Sequence, residues 1–385
     1  MLQVNKIIKS FVNHFYRPFS PIEVILYLTN NCNLKCKFCD IGISNIKNET
    51  HPHKELSISQ LDKIVEAMIT MKVKDVYITG GEPFMAHNLW YLLDLCYRNS
   101  LVISAITTNG STLNTLSNEQ IIILNRANIR RIIISVDYPD ANRQDNFRGK
   151  AGLFHDIELF MASKKSEAIK TNYCLSTVIS KQNYKDLSAL IKWAVSLKKI
   201  RHINFQPVCI DPIFVDYKTE KMEKDSFYID TPYLDELTTY ISDALRTAKE
   251  ARMSTTLPFL RLWITDYFKY AKTDKLFFKK IMKGFMCSTP YNYLHINYNG
   301  DILACTHIGP IENIEKGDIA NIWKKAAEEY KKIFKSDIYF RECRNCFCDF
   351  GANYRTSLLY KPVKNIKHIL RIAPYYIRRY LGKTI

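Results

Sequence analysis

Residues 23–40 read EVILYLTNNCNLKCKFCD, a run of β-formers followed at once by Cys32, Cys36 and Cys39. The stretch 23–29 predicts a strand, and patterns of strand and helix then alternate outward from it. Strands are expected at 75–79, 101–107, 130–136, 171–179 and 202–208. Helices are expected at 59–71 (capped by Ser57 or Ser59), 87–98, 117–126, 152–164 and 184–198. Strands alternating with helices imply parallel βαβ units. Six such units fall short of the eight that close a barrel. The expected fold is therefore α/β: a partial (β/α)6 TIM-like barrel over residues 23–210, followed by a small cysteine-rich domain over residues 286–355. In such folds the chemistry sits at the C-terminal ends of the strands. The segments expected there are NNCNLKCKFC (30–39), GGEP (80–83), TTNG (107–110) and SVDYP (135–139).

The flanks differ from this core. Residues 1–22 predict an amphipathic helix, with Ile7, Ile8, Phe11, Val12, Phe15 and Phe19 at helical spacing. Residues 211–285 read as a helical linker region, polar over 211–230. A hairpin is expected round Tyr298-Asn299-Gly300-Asp301. Residues 356–385 form a basic tail, and its last 25 residues hold seven Lys and Arg and no acid, out of a formal net charge of +17. With no apolar leader and no spanning run, the chain reads as cytoplasmic. Eleven cysteines in that setting are metal ligands or reactive thiols before they are disulfides.

Cys32, Cys36 and Cys39 can wrap one face of an iron–sulfur cube and leave its fourth iron open. A structural zinc site is the competing reading, with His51 or His53 as fourth ligand. Downstream, Cys287, Cys305, Cys343 and Cys346 form a second set, with Cys348 able to replace Cys346. Four thiolates there would close a cluster or hold a zinc ion. Cys96, Cys174 and Cys209 lie in apolar runs and read as buried thiols. His295 and His307 flank the hairpin as structural histidines.

These motifs resemble the radical S-adenosylmethionine (SAM) superfamily. Its mark is Cys-x3-Cys-x2-Cys after the first barrel strand with an aromatic before the third cysteine, here Phe38. Gly80-Gly81-Glu82-Pro83, Thr107 to Gly110, Ser135 with Asp137, and the Asp145/Arg148/Gly149/Gly152/Phe154 pattern follow in the order of that family. The resemblance implies a 4Fe–4S cluster on Cys32, Cys36 and Cys39, with S-adenosylmethionine at its open iron. Gly80 and Gly81 would let backbone approach the amino group, with Glu82 adding charge-assisted contact. Arg148 would pair with the carboxylate; Asn109, Ser135 and Asp137 would face the ribose, and Phe38 the adenine. The implied chemistry is reductive cleavage to a 5′-deoxyadenosyl radical and hydrogen abstraction, fed by a low-potential donor such as flavodoxin or ferredoxin. The second cysteine set is similar to the SPASM or shorter twitch extension. With five cysteines rather than seven, a single auxiliary 4Fe–4S cluster on Cys287, Cys305, Cys343 and Cys346 is expected to assist electron transfer.

No residue is singled out as catalytic. The expected substrate is a small molecule, sugar or lipid head group, with peptide modification as the alternative. A zinc protein binding nucleic acid through its basic ends is the reading from a different class. The tail itself admits packing on the barrel, peripheral membrane contact or nucleic acid.

Overall fold

The computed structural model describes residues 20–46, 52–208, 225–271, 288–306, 309–335 and 370. The expected N-terminal helix, nearly all of the basic tail, His51, His307, Cys209, Cys287, Cys343, Cys346 and Cys348 lie outside the described residues.

Among the described residues ten strands form one sheet: β1 (Glu23–Tyr27), β2 (Asp75–Thr79), β3 (Val102–Thr108), β4 (Arg131–Ser135), β5 (Asn172–Ile179), β6 (Ile200–Pro207), β7 (Ser254–Thr255), β8 (Tyr293–Ile296), β9 (Asp301–Leu303) and β10 (Glu312–Asn313). Their order is β10-β9-β8-β1-β2-β3-β4-β5-β6-β7, so the sheet is open. From β8 through β7 every neighbouring pair is parallel. All eight C-terminal ends therefore lie along one edge. The six strands expected from sequence are all present, within about two residues of their expected ends.

Helices α1 (Asp40–Ile46), α2 (Ile58–Thr70), α3 (Leu89–Arg98), α4 (Asn118–Arg126), α5 (Ala141–Arg148) and α6 (Leu153–Ala162) connect the first five strands. Two of them start on full capping boxes, Ser57 with Gln60 and Ser117 with Gln120. Each box satisfies two otherwise orphaned amides. Strand residues Val24, Leu26, Val76, Ile78, Ile132 and Ile134 join Leu61, Ile64, Leu92 and Leu124 of the helices in one buried core. Each such side chain contributes about 1.5–3 kcal/mol of burial. The alternate strand positions face the other way. There Ala105, Ile133 and Cys174 form a separate small cluster beside Tyr77.

The expected hairpin forms between β8 and β9, which are antiparallel. β8 also pairs in parallel with β1, so the cysteine-rich segment begins inside the barrel sheet. The helix Ile319–Lys335 seals this junction with Trp323, which is 1% exposed and donates from Nε1 to the Tyr293 carbonyl at 3.3 Å. Among the described residues no helix is long and apolar enough to cross a membrane. Because β8 and β1 share one sheet, Trp323→Ala is expected to cost about 3–5 kcal/mol. Urea unfolding followed by circular dichroism should show that loss within one cooperative transition; a separate early transition would mean that the two parts fold independently.

Candidate functional site

The edge formed by the C-terminal strand ends is built first from backbone. β1 runs into Thr29, whose Oγ1 donates to the Lys54 carbonyl at 2.8 Å. The next turn is strapped to the end of β2: the Gly81 amide donates to the Thr29 carbonyl and the Glu82 amide to the Asn31 carbonyl, each at 2.7 Å. Glycine is required by this approach. A Cβ on Gly80, whose φ is +133°, would lie 2.6 Å from the Thr29 oxygen, and one on Gly81 would lie 2.2 Å from the Asn31 oxygen. The chain's own loop thus already demands both glycines.

Glu82 is fully buried. Its Oε1 accepts from the Thr108 hydroxyl at 2.8 Å and the Phe84 amide at 3.1 Å, and its Oε2 accepts from the Asn109 amide at 2.6 Å. Burial lifts its carboxyl to about 7, against the pull of the Asn109 amide and the Thr108 hydroxyl. The side chain ties the end of β2 to the end of β3 and has no surface left for direct contact with a ligand.

The cysteine loop follows. Cys36 is buried, while Cys32 and Cys39 keep some surface. Burial pushes all three thiols up, Cys36 to about 12, and the neighbouring cysteines add to the shift on Cys32. Arg148 acts against it at Cys36. Among the described residues no three His, Cys, Asp or Glu side chains are gathered as a site for one metal ion. Thiolates are the ligands of a cubane's irons, and Cys36 and Cys39 both lie close enough to act electrostatically on Cys32. The donor set therefore fits an iron–sulfur cluster.

Two residues that sequence reasoning missed shape this loop. Asn45 donates from Nδ2 to the carbonyls of Cys32 at 2.9 Å and Leu34 at 2.8 Å. Gly42 lets α1 pack on the loop, since a Cβ there would lie 2.3 Å from the Cys36 oxygen. Both follow the triad in a short helix whose pattern carries no amphipathic signal. Their roles depend on where the loop doubles back.

The remaining expected site residues gather at the same edge. Arg148 donates from Nε to Asp137 Oδ2 at 2.6 Å, and Nη2 lies 2.6 Å from the same oxygen. Asp137 Oδ1 accepts from the Val178 amide at 2.7 Å, which joins β4 to β5. The Arg148 guanidinium sits 5.1 Å from the Phe38 ring centroid, and Phe38 stacks on Phe147 at 4.8 Å. Cys36 Sγ lies 3.5 Å from the Arg148 carbonyl. Ser135 is half-buried, with its carbonyl 3.3 Å from Gln144 Nε2. Asn109 is buried, and its side chain contacts the cysteine loop.

A model of the radical SAM superfamily matches residues 26–194, and a model of the SPASM iron–sulfur cluster-binding domain matches residues 287–347. The chain belongs to the radical SAM superfamily. Its radical SAM domain binds a 4Fe–4S cluster and S-adenosylmethionine, and its SPASM domain binds further iron–sulfur. Among curated relatives, the GTP 3',8-cyclase of Thermodesulfovibrio yellowstonii is 27% identical over 188 residues, 47% of this chain and 55% of that protein. The AdoMet-dependent heme synthase of Oleidesulfovibrio alaskensis is 26% identical over 167 residues, 42% of this chain and 40% of that protein. This radical SAM chain spans about half the length of the curated relatives it matches. Among solved structures, Streptococcus suis SuiB bound to S-adenosylmethionine aligns with a TM-score of 0.58 at 19% identity, over 85% of this chain and 72% of that one. AdoMet-bound anSMEcpe aligns at 0.57 and 15% identity, over 86% and 88%. These likenesses establish a common fold.

Removing the Glu82 carboxylate would strand three donors. Glu82→Ala is expected to destabilise the cluster-free protein by about 3–5 kcal/mol. Because burial raises the carboxyl from 4.5 to about 7, its contribution is fully present below 4.5 and is lost as pH rises through 7. Urea midpoints across that window should fall in the wild type and fall less in Glu82→Gln. Equal slopes would show that Glu82 does not titrate there.

Proposed function

We propose that Cys32, Cys36 and Cys39 hold the catalytic 4Fe–4S cluster, with S-adenosylmethionine bound at its open iron beside Phe38, Ser135 and Arg148. The supporting observation is a loop of three neighbouring thiols at the C-terminal edge, with a buried guanidinium packed against it. When bound, the cluster and S-adenosylmethionine supply a 5′-deoxyadenosyl radical that abstracts hydrogen from substrate. Asp137 holds the Arg148 guanidinium over the Phe38 ring, where its charge suits the carboxylate of S-adenosylmethionine. Phe38 offers an aromatic face for adenine, and Ser135 a hydroxyl for the ribose. Gly80, Gly81, Glu82 and Asn109 act by fixing the loop. A low-potential donor such as flavodoxin or ferredoxin supplies the electron.

The auxiliary 4Fe–4S cluster is assigned to Cys287, Cys305, Cys343 and Cys346. Cys305 supports a second, separate site. It follows β9, in which Leu303 pairs with His295, itself opposite Ile25 of β1. Since β9 runs antiparallel to β8, Cys305 lies toward the N-terminal edge of the parallel strands. The Cys32 loop lies beyond the C-terminal edge, roughly 15–20 Å away along the strands. One cluster cannot use both.

The substrate class favoured is small and polar: a small metabolite, a sugar or a lipid head group. Ser135, Ser176 and Asn204 stand at matching register on β4, β5 and β6, on the face opposite the helix-packed core, and all three are half-buried. They form a row of hydrogen-bonding groups beside the cysteine-loop edge.

Anaerobic reconstitution is expected to give two 4Fe–4S clusters per chain, and dithionite to release 5′-deoxyadenosine from S-adenosylmethionine. Replacing Cys32, Cys36 and Cys39 together by Ala should leave one cluster and abolish 5′-deoxyadenosine. Full iron content in that variant would overturn the assignment of the triad.

A further inference from the structure

Asn109 lies at the end of the TTNG segment, and every hydrogen-bonding group of its side chain is engaged. Oδ1 accepts from the Ser111 amide at 2.9 Å. Nδ2 donates to Asn33 Oδ1 at 2.9 Å and faces Cys32 Sγ at 3.8 Å. A carboxamide nitrogen has two hydrogens, and these two partners use both. The orientation of the amide is not free. Flipping it would set an NH2 against the Ser111 N–H, so the Ser111 amide itself decides that nitrogen faces the sulfur. The backbone is fixed as firmly, because the Asn109 amide donates to buried Glu82 at 2.6 Å. Asn33 is braced in turn, donating from Nδ2 to Ser111 Oγ at 2.9 Å. On its other side Cys32 is held by Asn45 through the Cys32 carbonyl.

We infer that Asn109 tunes the reduction potential of the catalytic cluster by donating an N–H···S hydrogen bond to the Cys32 thiolate. The inference rests on the proposal that Cys32 ligates that cluster. Hydrogen bonds to cysteine sulfurs are among the levers that set iron–sulfur potentials. Reduction adds one electron to the cluster and its thiolates, and a donor aimed at a thiolate stabilises the more negative state. Asn109 therefore makes the one-electron reduction easier than a bare thiolate would allow. Glu82 belongs to the same device: it fixes the strand end from which Asn109 reaches across to the loop. Ser111 and Asn33 hold the amide independently of the sulfur, so the fold itself orients the donor toward the thiolate.

The test is an EPR-monitored redox titration of reconstituted full-length protein, following the cluster signal that shifts when S-adenosylmethionine is added. Asn109→Leu keeps the bulk and removes the donor. Its reduction equilibrium should fall about tenfold, which for one electron is ~59 mV more negative. Asn109→Asp keeps the acceptor for Ser111 but sets a carboxylate beside the thiolate, so its midpoint should be lower still. Asn33→Ala, which leaves the sulfur contact in place, should move the midpoint least. An unchanged midpoint in a fully loaded Asn109→Leu protein would overturn the inference. If that variant fails to load iron, wild-type protein made with side-chain 15N-asparagine decides. A 15N coupling to the reduced cluster that persists in Asn33→Ala and Asn45→Ala backgrounds supports the hydrogen bond, and its absence from wild type refutes it. A cluster signal responsive to S-adenosylmethionine that survives Cys32→Ala would instead overturn the ligand assignment, and the inference with it.

Discussion

The fully buried carboxylate of Glu82 is the interaction on which the site depends. It takes a hydroxyl and two amides at once and leaves none of them to water. Two of those donors, the Thr108 hydroxyl and the Asn109 amide, belong to the end of β3, while the Glu82 backbone straps Asn31 of the cysteine loop. The ends of β1, β2 and β3 are thereby locked together just where the loop of Cys32 leaves the sheet. A buried carboxyl is costly unless its oxygens are satisfied. The cost is met here by geometry that would be lost if any one of the three strand ends shifted. The result is a rigid frame for a loop that has little regular structure of its own.

A second lock works farther along the same edge. Asp137 joins β4 to β5 through the Val178 amide and holds Arg148 against Phe38 and the cysteine loop. Breaking such a pair by removing one partner strands the other charge in a buried setting. On the strands of this second lock, and on β6 beside them, lies the polar row of Ser135, Ser176 and Asn204. The edge thus supplies a loop of three thiols, a fixed cation and a row of hydrogen-bonding groups. Cys305 stands apart from all of these, toward the opposite edge. The parallel sheet keeps Cys305 apart from the Cys32 loop by the length of its strands.

Much of this was legible in the sequence because it is local. The short apolar runs of β1 to β6 and the spacing of Cys32, Cys36 and Cys39 can be read from a few consecutive residues. GGEP, TTNG and Ser135 with Asp137 could be placed at strand ends for the same reason. What could not be read depends on contacts distant in the chain. Nothing in Tyr293–Ile296 signals that it pairs with Glu23–Leu26, which stand some 270 positions earlier. Glu82, expected to add a charge-assisted contact, is instead enclosed by Thr108 and Asn109, which lie some 26 positions on in the chain. Asn109, expected at a ribose, spends its amide on Cys32, Asn33 and Ser111, and Asn45 was invisible because its partners are carbonyls. The glycines of GGEP were expected to admit a ligand; the loop of residues 29–31 already fills the space their missing side chains leave.

The framed loop is proposed to present a cluster with one iron open to S-adenosylmethionine. Electron–nuclear double resonance on the reduced protein, with S-adenosylmethionine labelled by 15N at the amino group and 17O at the carboxylate, measures this directly. Both nuclei should couple to the cluster in the wild type, as direct ligation of one iron requires. A reduced cluster that shows neither coupling while S-adenosylmethionine is bound would contradict it.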